Sequence, residues 1–191
     1  MKHLISYKVY ENLNNTQVSI EDFLKNIGMP QFKHEQIIEW WNNNRRNIKI
    51  HFFPFSSPKP IAGVFLGTDV IAVNQRLQMP PHVKLFLALH ESRHCDQHSN
   101  GIFMSGYYDT VVSGDENSFL QSYRELEQDA NSYAINGMRE MGFEREMNME
   151  EIRLRSNENA GPMVFRMMTD DIRLLNPTDF IDLLKKQIGL S

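Results

Sequence analysis

Apolar residues recur at helical spacing over several stretches of this chain and alternate over a few short ones. Ser19 is placed to cap a helix from Ile20 to about Ile27, and after Gly28-Met29-Pro30 the positions Phe32, Ile37, Trp40 and Trp41 predict a second helix, which "NNNRR" ends. Ile48 to Phe55 alternates and is rich in β-branched and aromatic residues, so it reads as a strand, and "SSPKP" as the loop after it. Ile61 to Leu66 and Val70 to Val73, joined by Gly67-Thr68-Asp69, suit a β-hairpin, which predicts a small, largely antiparallel sheet.

Pro80-Pro81 opens the next helix and Asn100-Gly101 closes it in a left-handed cap. Ile102 to Asn117 reads as a loop. Ser118-x-x-Gln121 resembles a capping box for a helix with Phe119, Tyr123, Leu126, Ala130, Tyr133 and Gly137 on one face, ending near Gly142. Three further helices are expected in the tail: Met149 to Arg155, Pro162 to Asp170, and one from Asn176-Pro177 or Thr178 to Ile188. The pattern predicts an α+β fold in one domain of residues 1–191. It comprises a helical extension (1–47), a core (48–142) and a C-terminal helical segment (143–191).

Composition changes this picture little. With 191 residues and 41% hydrophobic content the chain can bury a core without staples. A net charge of -4 gives no cationic field for nucleic acid or anionic lipid, and no apolar run is long enough to span a bilayer. The single cysteine, Cys95, forms no intramolecular disulfide and reads as a small packing residue. The amino end lacks the apolar run of a secretory signal, so the expected compartment is the cytoplasm. Trp40, Trp41, Met163, Met167 and Met168 read as core, and Arg45-Arg46 with Lys49 as a solvated basic cluster.

The stretch "FLALHESRHC" carries the candidate chemistry. Four residues make about one helical turn, so His90 and His94 share a helix face and can offer two imidazole nitrogens to one ion, with Glu91 rotated about 100° beside them. A catalytic zinc needs a third ligand and an open position. Glu127, on the flank of the next helix's apolar face, is the candidate, and Asn131 one turn on is placed to fix a ligand imidazole. His98 continues the spacing, but at a helix end, where a histidine more often meets free carbonyls. A metzincin requires a glycine and then a histidine further on, and Gln97 in the glycine's place with no such histidine excludes it.

"ALHESRH" followed by "ELEQDANSYA" resembles the ImmA/IrrE type of zinc metallopeptidase, a gluzincin with an E-x-(E/D)-A-N-x-(F/Y)-A helix after HExxH. Here that second motif is Glu127, Asp129, Ala130, Asn131, Tyr133 and Ala134, and with "VIAVNQRL" the likeness covers roughly residues 61 to 141. It departs at Arg93, where the family usually has a small residue. The resemblance implies a zincin-like fold in which the sheet packs on the HExxH helix and a second ligand-bearing helix. It also implies Zn2+ held by His90, His94 and Glu127, with Glu91 as general base. Tyr107 and Tyr108, in the loop between the two helices, are candidates for the oxyanion donor, against the plainer reading of ordinary loop aromatics. The implied substrate is a protein or peptide, with transcriptional repressors as the family's kind of target; no DNA-binding helix-turn-helix is legible. The competing reading is a zinc-containing binding or sensor module that regulates a partner without hydrolysis.

Overall fold

The computed structural model describes residues 17–53, 62–76, 78–102, 107–148 and 161–187. The architecture is α+β: a small four-stranded sheet with helices packed against it. The expected helix at Met149 to Arg155, the loop "SSPKP" and the ends of two expected strands lie outside the described residues.

After the two-residue strand β1 (Gln17–Val18), helix α1 (Ile20–Asn26) starts where Ser19 accepts a hydrogen bond from the Asp22 N–H, as the sequence predicts. A 3-10 turn (Gln31–Lys33), in which Phe32 is exposed, leads into α2 (His34–Asn44), which buries Ile37 and Trp41. Strands β2 (Lys49–Phe53), β3 (Gly63–Phe65) and β4 (Val70–Asn74) complete the sheet in the order β1-β2-β4-β3.

The β3–β4 hairpin is present, with Val64 opposite Ala72, but the sheet is mixed rather than largely antiparallel. Its longest pairing, β2 with β4, is parallel over five residue pairs. Hairpin logic predicts only pairings between neighbours in sequence; here the chain carries β3 to the sheet edge and inserts β4 beside β2. Alternate residues feed two apolar clusters: Ile50, Phe52, Phe65, Ile71 and Val73 join the main core, while Phe53, Val64, Leu66 and Ala72 form a smaller one. Burial on both faces is why "VIAV" reads as a continuous apolar run.

Helix α3 (Pro81–Ser99) packs against β3, β4 and the long helix α5 (Glu116–Glu140). Gly101, at φ +70, follows α3, and Gly142, at φ +76, follows α5, positions where any side chain would be strained. Between them the expected loop contains a short helix, α4 (Tyr108–Ser113), whose single buried residue, Val111, left no period to read. The predicted capping box is displaced: Asp115 caps α5 by accepting from the Ser118 N–H, and Ser118 lies inside the first turn. Gly137 faces Trp40, whose ring would stand 2.9 Å from an added β-carbon, so α2 and α5 approach too closely for a larger residue.

Helix α6 (Gly161–Asp170), a 3-10 turn (Ile172–Leu175) and α7 (Pro177–Gln187) follow, α7 opening where Asn176 accepts from the Thr178 N–H. Met168 is fully buried and Met167 partly so, but Met163, expected in the core, is exposed on the outer side of α6. Arg45 is a further correction. It is 8% exposed, bonds Asp96 at 2.8 and 3.0 Å and lies over the Tyr133 ring, whereas Arg46 and Lys49 are exposed as expected. Three cations within five residues carry no periodicity to show which one turns inward.

Candidate metal centre

The HExxH segment occupies the second half of α3, and the turn of α5 facing it carries Glu127. His90 Nε2 lies 3.0 Å from His94 Nε2 and 3.4 Å from one Glu127 oxygen, and His94 Nε2 lies 3.5 Å from the other. Nε2–metal distances of about 2.0–2.1 Å at a tetrahedral angle put ligand atoms roughly 3.3 Å apart. The three side chains therefore fit a small divalent ion, and among the described residues they are the group that does. The His94 side chain is 5% exposed and that of His90 12%, while Glu127 keeps 33%, so the cluster is walled on the α3 side and opens beside Glu127.

Charge in the cluster is arranged around that point. Burial lowers the His94 pKa, and the neighbouring His90 charge lowers it further, to about 4. Burial acts the same way on His90, but the hydrogen bond to Glu127 and the charges of Glu91 and Glu127 outweigh it and raise the pKa. Burial alone would raise Glu127; the bonds and charges of the two imidazoles and a bond from the Tyr123 hydroxyl hold it below the usual range. Without an ion, a proton on His90 fills the space between acceptors, so the site favours positive charge there.

The outer ring nitrogens are anchored. His90 Nδ1 lies 3.0 Å from the Asn131 carbonyl oxygen, in the position the sequence suggested for Asn131, and His94 Nδ1 lies 2.7 Å from that of Gln97. Glu91 is 9% exposed and turns toward β3, where the Phe65 N–H donates to its carboxylate and Gly63 leaves it room. Burial raises its pKa to about 7, against the opposing pull of His90.

Other candidates fall outside the cluster. His98 lies beside Phe65, the two rings tilted with centroids 5.8 Å apart. Cys95 is fully buried and donates to the Val70 carbonyl. Tyr107 is packed on Phe119 in the core, near enough to Tyr123 and Glu127 for their charge to add to burial in raising its pKa, and Tyr108 is 57% exposed. Arg93 points along the helix interface: its guanidinium grips Asp129 at 2.8 and 3.2 Å.

Sequence reasoning passed over Tyr123 and Gln97. Tyr123 stands one turn before Glu127, a spacing that places its hydroxyl beside the carboxylate, but aromatic character assigned it to the apolar face. Gln97 stands three residues after His94, an equally legible spacing. No family model, curated protein or solved structure matches the chain. Among the described residues, no helix is long and apolar enough to cross a membrane.

Proposed function

We propose that the chain is a zinc-dependent metallopeptidase with the gluzincin ligand set, His90, His94 and Glu127, and with Glu91 as its general base. The observation that carries this reading is the match between the three donor separations, 3.0 to 3.5 Å, and the edge of a tetrahedral zinc site. Two imidazoles and one carboxylate suit zinc, and three protein ligands leave the open position that separates catalytic from structural sites. The likeness of "ALHESRH" and "ELEQDANSYA" to the ImmA/IrrE type, and with it a zincin-like arrangement of sheet and helices, supports the same assignment.

When bound, zinc supplies Lewis acidity toward a peptide carbonyl and toward water. The chain's residues do the rest. Glu91, buried beside the two imidazoles, takes the proton of the attacking water and returns it to the leaving amine. Asn131 and Gln97 hold the two imidazoles, and the Tyr123 hydroxyl orients Glu127. The substrate is a protein or peptide, with a transcriptional repressor as the class the family likeness suggests. An extended segment would add to β3, the edge strand that passes Glu91 at Gly63.

The test is metal content and cleavage together. Protein purified without added zinc should carry about one zinc per chain. It should also generate new protein termini in a host lysate, lose this activity to a chelator and regain it with zinc. Absence of zinc defeats the reading outright; zinc without chelator-sensitive cleavage turns it into a sensor module.

A further inference from the structure

The amide of Gln97 is almost fully buried, at 2% exposure, and all of its polar atoms are engaged. Its nitrogen lies 3.0 Å from the Leu126 carbonyl and 2.8 Å from an Asp129 carboxylate oxygen. Both of these partners only accept, so the amide nitrogen must be the atom facing them. Its oxygen therefore faces His94, 2.7 Å from Nδ1, and since that oxygen can only accept, Nδ1 must carry the proton. In the neutral ring the lone pair is then on Nε2, the atom that faces His90 and Glu127.

We propose that Gln97 is a positioning residue that fixes His94 in the Nδ1–H tautomer and ties its ring to the helix bearing Glu127. The use of that lone pair for metal rests on the zinc reading above; the hold on the tautomer does not. Leu126 and Asp129 flank Glu127 and its next neighbour on α5, so one amide fixes both the orientation of His94 and the register of α3 against α5. Asp129 is itself held by the two-pronged Arg93 contact, and Arg93 reaches Asp96, the partner of Arg45. Arg93 thus belongs to the support of His94: a small residue there would leave Asp129 without this clamp.

The experiment compares wild type with Gln97→Met, which keeps the length and loses the hydrogen bonds, and Gln97→Glu, which keeps an oxygen facing Nδ1 but sets its second oxygen against the Leu126 carbonyl and the Asp129 carboxylate. Long-range proton–nitrogen NMR on metal-free protein at mildly alkaline pH reads the His94 tautomer, with His94→Ala giving the assignment. Chelator competition reads zinc affinity. Wild-type His94 should be protonated on Nδ1. Gln97→Met should release the tautomer and lower zinc affinity on the order of 10 to 100-fold. Gln97→Glu should hold the Nδ1–H tautomer that Gln97→Met releases but not restore the tie to α5, so its zinc affinity should stay below that of wild type.

A wild-type His94 protonated on Nε2 overturns the proposal without reference to any variant. So does a Gln97→Met protein with unchanged tautomer and affinity, or a Gln97→Glu protein that releases the tautomer as Gln97→Met does, which would reduce Gln97 to a packing tie. If wild type takes up no zinc but shows the Nδ1–H form, which Gln97→Met loses and Gln97→Glu keeps, the zinc reading fails and the action of Gln97 on His94 stands.

Discussion

Gly63 and Glu91 touch across the boundary between sheet and helix: a β-carbon on residue 63 would stand 3.1 Å from Glu91 Cγ and 3.2 Å from its Oε1. Alanine there must displace the Glu91 side chain by a few tenths of an ångström, and burial leaves that side chain little room. The three proposed ligands are untouched. Gly63→Ala should therefore keep zinc within about twofold of wild type while slowing cleavage by roughly tenfold or more, since misplacement near 1 Å costs about 100-fold. Elemental analysis and the rate at which new termini appear check the two halves; unimpaired cleavage would mean that Glu91 tolerates displacement and is not a closely positioned base.

Removal of any one of the three clustered donors should be costly. His90→Ala, His94→Ala and Glu127→Ala should each leave far less than one zinc per chain after dialysis, because each leaves two protein ligands. His98→Ala should retain zinc, as His98 lies beside Phe65 outside the cluster. Full occupancy in Glu127→Ala would remove Glu127 from the ligand set.

These residues were the most legible part of the chain, because the chemistry of a site formed on two helices leaves a fixed spacing in sequence. His90 and His94 are one turn apart on α3, and Glu127 and Asn131 one turn apart on α5. What could not be read depends on contacts between segments distant in sequence. Nothing local in Lys49 to Phe53 says that this strand pairs in parallel with Val70 to Asn74, nor that Arg45 finds Asp96 fifty-one positions away. Helix α4 buries only Val111 and so shows no period, and a serine followed three residues later by glutamine reads as a cap even where, as here, Asp115 takes that place.

Asn131 acts on the other imidazole, His90, with 3.0 Å between its carbonyl oxygen and Nδ1. Asn131→Ala frees that ring to rotate and change tautomer, and should weaken zinc binding or activity on the order of 10 to 100-fold without unfolding the protein. Chelator competition with a parallel melting curve separates the two effects. A loss below about twofold would show that His90 is held by its neighbours alone.

The buried Glu91 carboxyl should leave a signature in the stability of metal-free protein. Its pKa is raised to about 7 in the fold, so the folded state holds a proton that the unfolded chain releases near the ordinary glutamate range. The resulting stabilisation is fully present below the unfolded pKa and is lost as pH rises through about 7. Glu91→Gln has no proton to lose. Its stability advantage over wild type should therefore widen between roughly pH 4 and 7 and level off on the order of 3 kcal/mol. Denaturant titrations of the two chelated proteins across that range measure the gap, and a gap independent of pH would mean that Glu91 ionises normally.

The same substitution separates peptidase from binding module. Glu91 is not one of the three clustered donors, so Glu91→Gln should keep both fold and zinc. It removes the carboxylate that accepts a proton from water and leaves an amide of nearly the same shape, so cleavage should stop while an extended segment still docks along β3. Such a protein should hold the substrate that wild type releases. Wild type and Glu91→Gln, each incubated with host lysate, are compared by mass spectrometry for new protein termini and for co-purifying chains. The expected result is termini that appear only with wild type and that map to a chain enriched on Glu91→Gln. If neither protein generates termini and both retain the same bound chain, recognition rather than hydrolysis is the output of the centre.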